Sequence, residues 1–314
     1  MNKSKIAVLI PCYNEQLTIK KVIKDFKKAL PSASIYVYNN NSSDKTKEIA
    51  LKEKVVVKDE YLQGKGNVVR SMFRDIDADA YVLVDGDDTY PAEEAKKLIA
   101  PVLDGKADMV IGDRLSSTYF TENKRPFHNT GNKLVRGLIN SLFKSNINDI
   151  MTGYRVFSKK FVKCMPVMSN GFQIETEMTV FSLVHNMNVV EIPITYRDRP
   201  EGSESKLDTF GDGSKVLMTL FNLFKDNRPF LLFGTISIIL LILGLIVGIP
   251  VISEFIDTKF ITKVPSAILA VGLVLNSFIM FAVGLIMDLI KNKTNFLYEC
   301  KMNQIIENIN RKGK

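Results

Sequence analysis

The stretch YVLVDGDDTYP, Tyr81 to Pro91, runs four strand-forming residues into three carboxylates within four positions, Asp85, Asp87 and Asp88. Pro91 then suits the opening of a helix, where its missing N–H leaves no bond unmade. Carboxylates crowded together resist ionising unless a cation offsets them. A buried strand ending in such a cluster is therefore expected to present a divalent metal site at its tip.

The residues on either side repeat the alternation. Strands are expected at Ile6 to Ile10, Ile35 to Tyr38, Val55 to Val57, Tyr81 to Val84 and Met109 to Ile111. Amphipathic helices are expected between them, at Leu17 to Leu30 and at Lys45 to Lys54, the second with Ser43 and Asp44 as N-cap candidates. Such alternation predicts an α/β fold with a mostly parallel sheet covered on both faces. Ligands of open α/β sheets bind beyond the carboxyl ends of the strands. Those ends carry PCYNE, NNNSSDKT, DGDDTYP and GDR, four polar turns converging on one edge. Asn and Ser runs are also ordinary turn formers, so NNNSSDKT taken alone is as readily structural as functional.

Composition adds a membrane. Phe230 to Ile252 is uncharged and long enough to cross a hydrocarbon core of roughly 30 Å. Val264 to Met287 is a second uncharged stretch, so the C-terminal third reads as a transmembrane hairpin. Lys225 and Arg228 precede the first span, and the tail from Lys291 holds six basic residues against two acidic. The connecting loop Ser253 to Lys263 is balanced, which predicts both ends on the cytoplasmic side. Met1 to Lys5 is polar, and the apolar stretch that follows is cut by Pro11, so no signal peptide is expected. The formal charge of +8 is accounted for by anionic lipid head groups, and no nucleic-acid partner is expected. Cys12, Cys164 and Cys300 form no CxxC pair, and with only His128 and His185 a zinc site is not expected.

Eight motifs occur in order: PCYNE, NNNSSDKT, QGKGNVVRS, VDGDDTYP, GDR, DIMTGYRVFSK, GFQIETEM and EIPITYRDRPEGSESKL. With the two spans, they make the chain resemble the polyprenyl-phosphate hexose transferases of glycosyltransferase family 2. That group is similar to dolichol-phosphate mannose synthase and the bacterial undecaprenyl-phosphate glucosyltransferases. The resemblance runs from Ile6 to Leu207, and the hairpin extends it to Ile290.

The resemblance implies a GT-A (Rossmann-like) catalytic domain over residues 1–212, cytoplasmic by the charge pattern above. Asn132 to Phe143 and Lys215 to Phe224 read as amphipathic helices, both open to being core helices and the second equally to being a juxtamembrane interfacial amphipathic helix over 213–229. Two spans follow within 230–290, at about 230–252 and 264–287, then a basic cytoplasmic tail over 291–314. The resemblance also implies a nucleotide-sugar donor, a polyprenyl phosphate acceptor, contact with membrane lipid, and Mg²⁺ or Mn²⁺. Self-association through the anchor is a further expectation.

By position, Asp85 and Asp87 match the metal-binding pair. Thr89 stands where the family often has Gln, which leaves the third protein ligand open. Pro11, Tyr13 and Glu15 of PCYNE fall on the donor side. Asn39 stands where relatives usually carry an Asp that reads the base; its amide oxygen still accepts from a uracil N–H. Lys65 is expected either to reach a donor phosphate or to form a plain lysine turn. Gln173 and Glu175 are expected either to meet sugar hydroxyls or to complement a helix dipole. Arg199 and Lys206 match a loop that closes over the phosphates. Asp88 is expected to cap the helix begun by Pro91, ahead of a role bracing the metal.

A phosphate acceptor is already anionic near neutral pH, so cations that hold two negative reactants together are the expected catalytic equipment. Arg114 and Arg125 match positions near the acceptor phosphate, and His128 falls where relatives often have Ser. Asp149 matches a residue proposed as base in related enzymes, but here it reads rather as positioning or polarising a neighbour. A processive polysaccharide synthase would require a QxxRW motif, and the chain contains no tryptophan. A catalytically silent membrane scaffold would have no need of Asp85, Asp87, Arg114 and Arg199 together.

Overall fold

The computed structural model describes residues 4–116, 128–171, 173–200, 202, 221–222 and 224–312. Its residues cluster into two units, one formed by residues 1–216 with the chain's end from Gln304, the other by Leu217–Asn303.

The first unit is built on β1 (Ile6–Cys12), β2 (Ser34–Asn39), β3 (Val56–Asp59), β4 (Ala80–Leu83), β5 (Met109–Asp113), β6 (Arg155–Ser158) and β7 (Val189–Pro193). They form one sheet in the order β3-β2-β1-β4-β6-β5-β7. Residues Ala7 to Ile10 of β1 and all of β4 are buried, as strands covered on both faces must be. α1 (Ile19–Ala29) covers the sheet with Ile19, Val22, Ile23 and Phe26, a one-sided stripe at helical spacing. α2 (Thr46–Lys52), α3 (Lys65–Asp75) and α4 (Ala95–Leu103) complete the alternation. Asp44 takes the backbone N–H of Thr46 at 2.9 Å, but the N-cap position of α2 falls to Lys45, without a side-chain cap, so neither Ser43 nor Asp44 fills it.

β1, β2, β3 and β4 are parallel, with Cys12 opposite Asn39, Asn39 opposite Asp59, and Leu9 opposite Leu83. The register brings the polar turns after β1, β2 and β4 to one edge. β6 departs from the expected alternation, because it lies antiparallel between β4 and β5 with Arg155 opposite both Leu83 and Ile111. It opens on an arginine and ends on a serine, so it lacks the apolar pattern that identifies a strand as short as β4. α5 (His128–Phe143) lies between β5 and β6, and α6 (Lys159–Cys164) and α7 (Ile174–Val184) follow β6. α5 contains the amphipathic helix expected from Asn132. The second such helix, over 213–229, lies largely outside the described residues.

The second unit is a helical hairpin of α8 (Pro229–Thr258) and the part of α9 (Val264–Lys312) up to Asn303, both helices being long and apolar enough to cross a membrane. Small residues form its seam. Ser237, Gly244 and Val251 of α8 are buried at heptad spacing, as are Ala270, Ser277 and Gly284 of α9. The Ser237 and Ser277 hydroxyls meet at 3.2 Å. A side chain at Gly244 would begin 2.8 Å from Val274 Cγ2, so the helices approach there only because that residue has none. Gly244→Leu is expected to part them, an overpacking effect of about 1–3 kcal/mol. Disulfide formation by a Ser237→Cys/Ser277→Cys pair reports it: efficient in the parent, lost when Gly244→Leu is added.

The sequence suggests a span ending near Met287 and then a basic tail, but α9 continues unbroken to Lys312. Tyr298, Met302, Ile305 and Ile309 recur every three or four residues, which sustains a helix beyond the apolar core. Its 49 residues extend about 73 Å at ~1.5 Å each.

Candidate active site

The turn after β4 is fixed from three directions. Thr18 Oγ1 donates to the Gly86 carbonyl at 2.6 Å, tying it to the PCYNE turn. That turn is tied in its own right to NNNSSDKT, by Asn14 N–H to Ser42 Oγ at 3.0 Å and Glu15 N–H to Thr46 Oγ1 at 2.7 Å. Gly153 lies against Asp85 so closely that a Cβ there would fall 2.3 Å from Oδ2, a place only glycine can fill. The Tyr90 hydroxyl accepts the Gly153 N–H at 3.0 Å, holding that approach.

The two candidate metal carboxylates sit in different surroundings. Asp85 is 28% exposed, whereas Asp87 is 5% exposed. Burial, then the neighbouring Asp85 charge, pushes the Asp87 carboxyl up, against the pull of Arg199 and Thr89. Thr89 donates to Asp87 Oδ1 through its hydroxyl at 2.7 Å and its N–H at 3.2 Å. The threonine at the family's glutamine position thus orients a carboxylate.

Each carboxylate is matched with a cation. Lys65 lies 2.5 Å from Asp85 and 2.6 Å from Glu175. Burial works to lower its pKa, but the two carboxylates prevail and raise it. Arg199 reaches Asp87 Oδ2 at 2.6 Å. Lys21 holds Asp88 at 2.8 Å. Asp88 therefore does not cap the helix after Pro91: the first turn there has no side-chain cap, and Asp88 turns toward α1 in a left-handed conformation with φ 63°. Glu175 is engaged by Lys65 in the first turn of α7, while Gln173 precedes that helix without capping it.

On the other side, Arg114 grips Asp149 with Nε at 2.8 Å and Nη2 at 3.0 Å, and its backbone N–H adds a third bond at 3.1 Å. Both side chains are buried. Burial alone would lower the guanidinium; Asp149 reverses that and raises it well above its usual range. Both carboxylate oxygens of Asp149 are thereby occupied, which fits a positioning group better than a free base. Glu191 accepts the N–H groups of Asn148 and Asp149 from behind.

The remaining expected residues divide. Pro11 and Tyr13 stand at the end of β1, Tyr13 exposed. Asn39 donates to Asp59 Oδ1 at 3.0 Å and accepts from Ser42 N–H at 3.3 Å, so its amide is oriented by protein partners. His128 opens α5, and Arg125 and Lys206 lie outside the described residues. Sequence reading passed over Tyr90, Asp59, Lys21, Glu191 and Arg155. Tyr90, Arg155 and Glu191 carried a signal, since all three lie within quoted motifs; Asp59 and Lys21 carried none.

The pair Asp85 and Asp87 fits a hard divalent cation. The carboxyl of Asp87 is held up first by burial and then by its neighbour's charge, and a cation bound there would offset both. Among the described residues no cluster of three His, Cys, Asp or Glu is suited to a metal, so two protein carboxylates would leave positions for donor phosphates.

Residues 7–165 match the family model for glycosyl transferase family 2. The chain is 31% identical over 287 residues to glycosyltransferase AglJ of Haloferax volcanii, covering 91% of this chain and 93% of that protein. It is 29% identical to the dolichyl-phosphate hexose transferase of the same organism, covering 71% and 95%. Among solved structures, the Mycobacterium tuberculosis glucosyl-3-phosphoglycerate synthase in complex with Mn²⁺, UDP and phosphoglyceric acid aligns with TM-score 0.59 at 18% identity. That alignment covers 70% of this chain and 78% of the synthase, and it shows the GT-A fold. Acids at the tip of β4, the mixed sheet that presents them and a match from Ala7 to Met165 agree: the chain belongs to glycosyl transferase family 2 and is a glycosyltransferase.

Proposed function

We propose that the protein transfers one hexose, with inversion, from a uridine diphosphate sugar to undecaprenyl phosphate, using Mg²⁺ or Mn²⁺. UDP-glucose and UDP-N-acetylglucosamine are the candidate donors, and the product is a lipid-linked sugar for cell-envelope glycans. The observation that carries this reading is the pairing of two sites on one sheet edge, Asp85 with Asp87 and Arg114 with Asp149. The two apolar helices and the similarity to a dolichyl-phosphate hexose transferase favour a lipid phosphate over a soluble acceptor.

In this reading Asp85 and Asp87 hold the cation, which offsets charge on the departing diphosphate. Lys65 and Arg199, already beside those carboxylates, meet the donor phosphates, with Pro11, Tyr13, Glu15, Asn39, Gln173 and Glu175 around the rest of the donor and Lys206 on the closing loop. Arg114, Arg125 and His128 receive the acceptor phosphate. Asp149 fixes the Arg114 fork, and the acceptor needs no base because its oxygen is already anionic. Purified protein given a panel of nucleotide sugars with undecaprenyl phosphate tests this directly. A lipid product one hexose heavier by mass is expected with a UDP-sugar, and transfer only to a soluble acceptor would overturn it.

We also propose that residues 1–212 and the tail 291–314 are cytoplasmic, with 213–229 at the interface and the spans at 230–252 and 264–287. A reporter fused after Lys314 is then expected inside, and one inserted near Thr258 outside. The opposite labelling would remove the cytosolic donor from reach.

A further inference from the structure

Arg155 is the largest of the fully buried side chains, at 0% exposed. Its register partners on both sides, Leu83 and Ile111, are apolar, so packing alone would be met by a hydrophobic residue. Among the described residues it makes no ion pair. Its donors go elsewhere: Nε to the Thr152 carbonyl at 3.1 Å, Nη2 to the Ile150 carbonyl at 2.5 Å, and Nη1 to Thr179 Oγ1 at 2.9 Å, with Met109 Sδ at 3.4 Å. The Thr179 hydroxyl in turn donates a hydrogen bond to the Glu175 backbone carbonyl at 3.0 Å. Burial brings the guanidinium down to about 10, with Glu175 and Asp149 offsetting part of that effect.

These contacts lead to the reacting groups on both sides. Ile150 and Thr152 belong to the turn that starts at Asp149, where Arg114 is held, and passes through Gly153, which backs Asp85. Glu175 lies in the first turn of α7, where it grips Lys65. We propose that Arg155 is a positioning residue of the transfer reaction, one buried guanidinium that braces the Asp149–Gly153 turn directly and the Glu175 turn through Thr179. The proposal rests on the reaction described above for its kinetic consequence, and on the hydrogen bonds alone for its structural one. Arg155 fixes how far the Arg114 fork stands from the Asp85 edge, and thus how two anionic reactants meet.

Three variants of the full-length protein in detergent test it: Arg155→Met, Arg155→Lys and Thr179→Val. Thermal melting, calorimetric UDP binding with Mn²⁺, initial rates against acceptor, and amide hydrogen exchange are measured on each. Misplacing reactive groups by about 1 Å costs on the order of 10²-fold in rate, so Arg155→Met is expected to lose about that much kcat while UDP affinity stays within twofold. Arg155→Lys keeps the charge without the fork and is expected to behave like the Met variant. Thr179→Val is expected to stay folded with a modestly lower melting temperature, because one buried guanidinium donor loses its oxygen, to lose kcat more than KM, and to exchange faster in the Glu175 turn. In Arg155→Met both turns exchange faster together. Wild-type kcat in a folded Arg155→Met, full rescue by Lys, or parallel loss of melting temperature, UDP binding and rate each overturns the proposal. If Arg155→Met does not fold, Thr179→Val decides: unchanged kcat and unchanged exchange there overturn it. Should the parent transfer no hexose at all, the reaction assigned above fails, while exchange in the two turns still judges the brace.

Discussion

Asp87→Asn is expected to fold like the parent and to turn over about 10²–10³ times more slowly, a loss of about 2.7–4 kcal/mol in transition-state stabilisation. The amide keeps an oxygen for the two Thr89 donors at 2.7 and 3.2 Å, so the turn stays in shape. What disappears is the charge, and with it the partner of Arg199 and half of the cation site. A binding measurement separates this from general damage. Mn²⁺ with UDP should raise the melting temperature of the parent, since a ligand at 100 times its Kd adds about 2.7 kcal/mol. The variant should show little of that rise. Activity within a few fold of the parent at saturating metal would remove Asp87 from the cation site.

Asp149→Ala is expected to damage stability more than any other single change at the site. It strands the Arg114 guanidinium, 9% exposed, without its carboxylate, and breaking one side of a buried ion pair costs about 3–5 kcal/mol. At roughly 2–4 °C per kcal/mol for a unit of this size, the loss is plain in a melting curve. The double change Arg114→Met/Asp149→Leu should recover much of the stability, because a buried ion pair is often replaced by apolar residues at little net cost. It should recover none of the transfer activity, since the fork proposed to receive the acceptor phosphate is gone. An active double variant would place the acceptor elsewhere; an Asp149→Ala protein that melts like the parent would show that solvent rescues Arg114.

Much of this arrangement is legible in the sequence because its parts are local. Buried parallel strands announce themselves as apolar stretches, α1 as an apolar stripe every three or four residues, and the β4 tip as an acidic cluster. β6 is not local in this sense. Its four residues owe their place to β4 on one side and β5 on the other, and nothing in Arg155 to Ser158 states which neighbours they will have. The roles of Thr89 and Asp88 failed to show for a related reason. A motif gives the residue type, but the direction of a short side chain depends on a backbone angle, as the left-handed Asp88 illustrates. Lys65 lies 20 positions from Asp85 and 110 from Glu175, distances at which sequence spacing conveys no contact.

The carboxylates at this edge are neutralised from within: Asp85 and Glu175 share Lys65, Asp87 has Arg199, Asp88 has Lys21, and Asp149 has Arg114. Four cations set against these five carboxylates leave the named groups one negative charge from neutral, so their far field is much weaker than the acids alone would give. On the proposed reading, a donor and an acceptor that are both anions therefore meet only a small long-range barrier from these acids. Their encounter rates should vary little with ionic strength on account of this pocket, and discrimination falls to the last few ångströms, where ion pairs exchange partners.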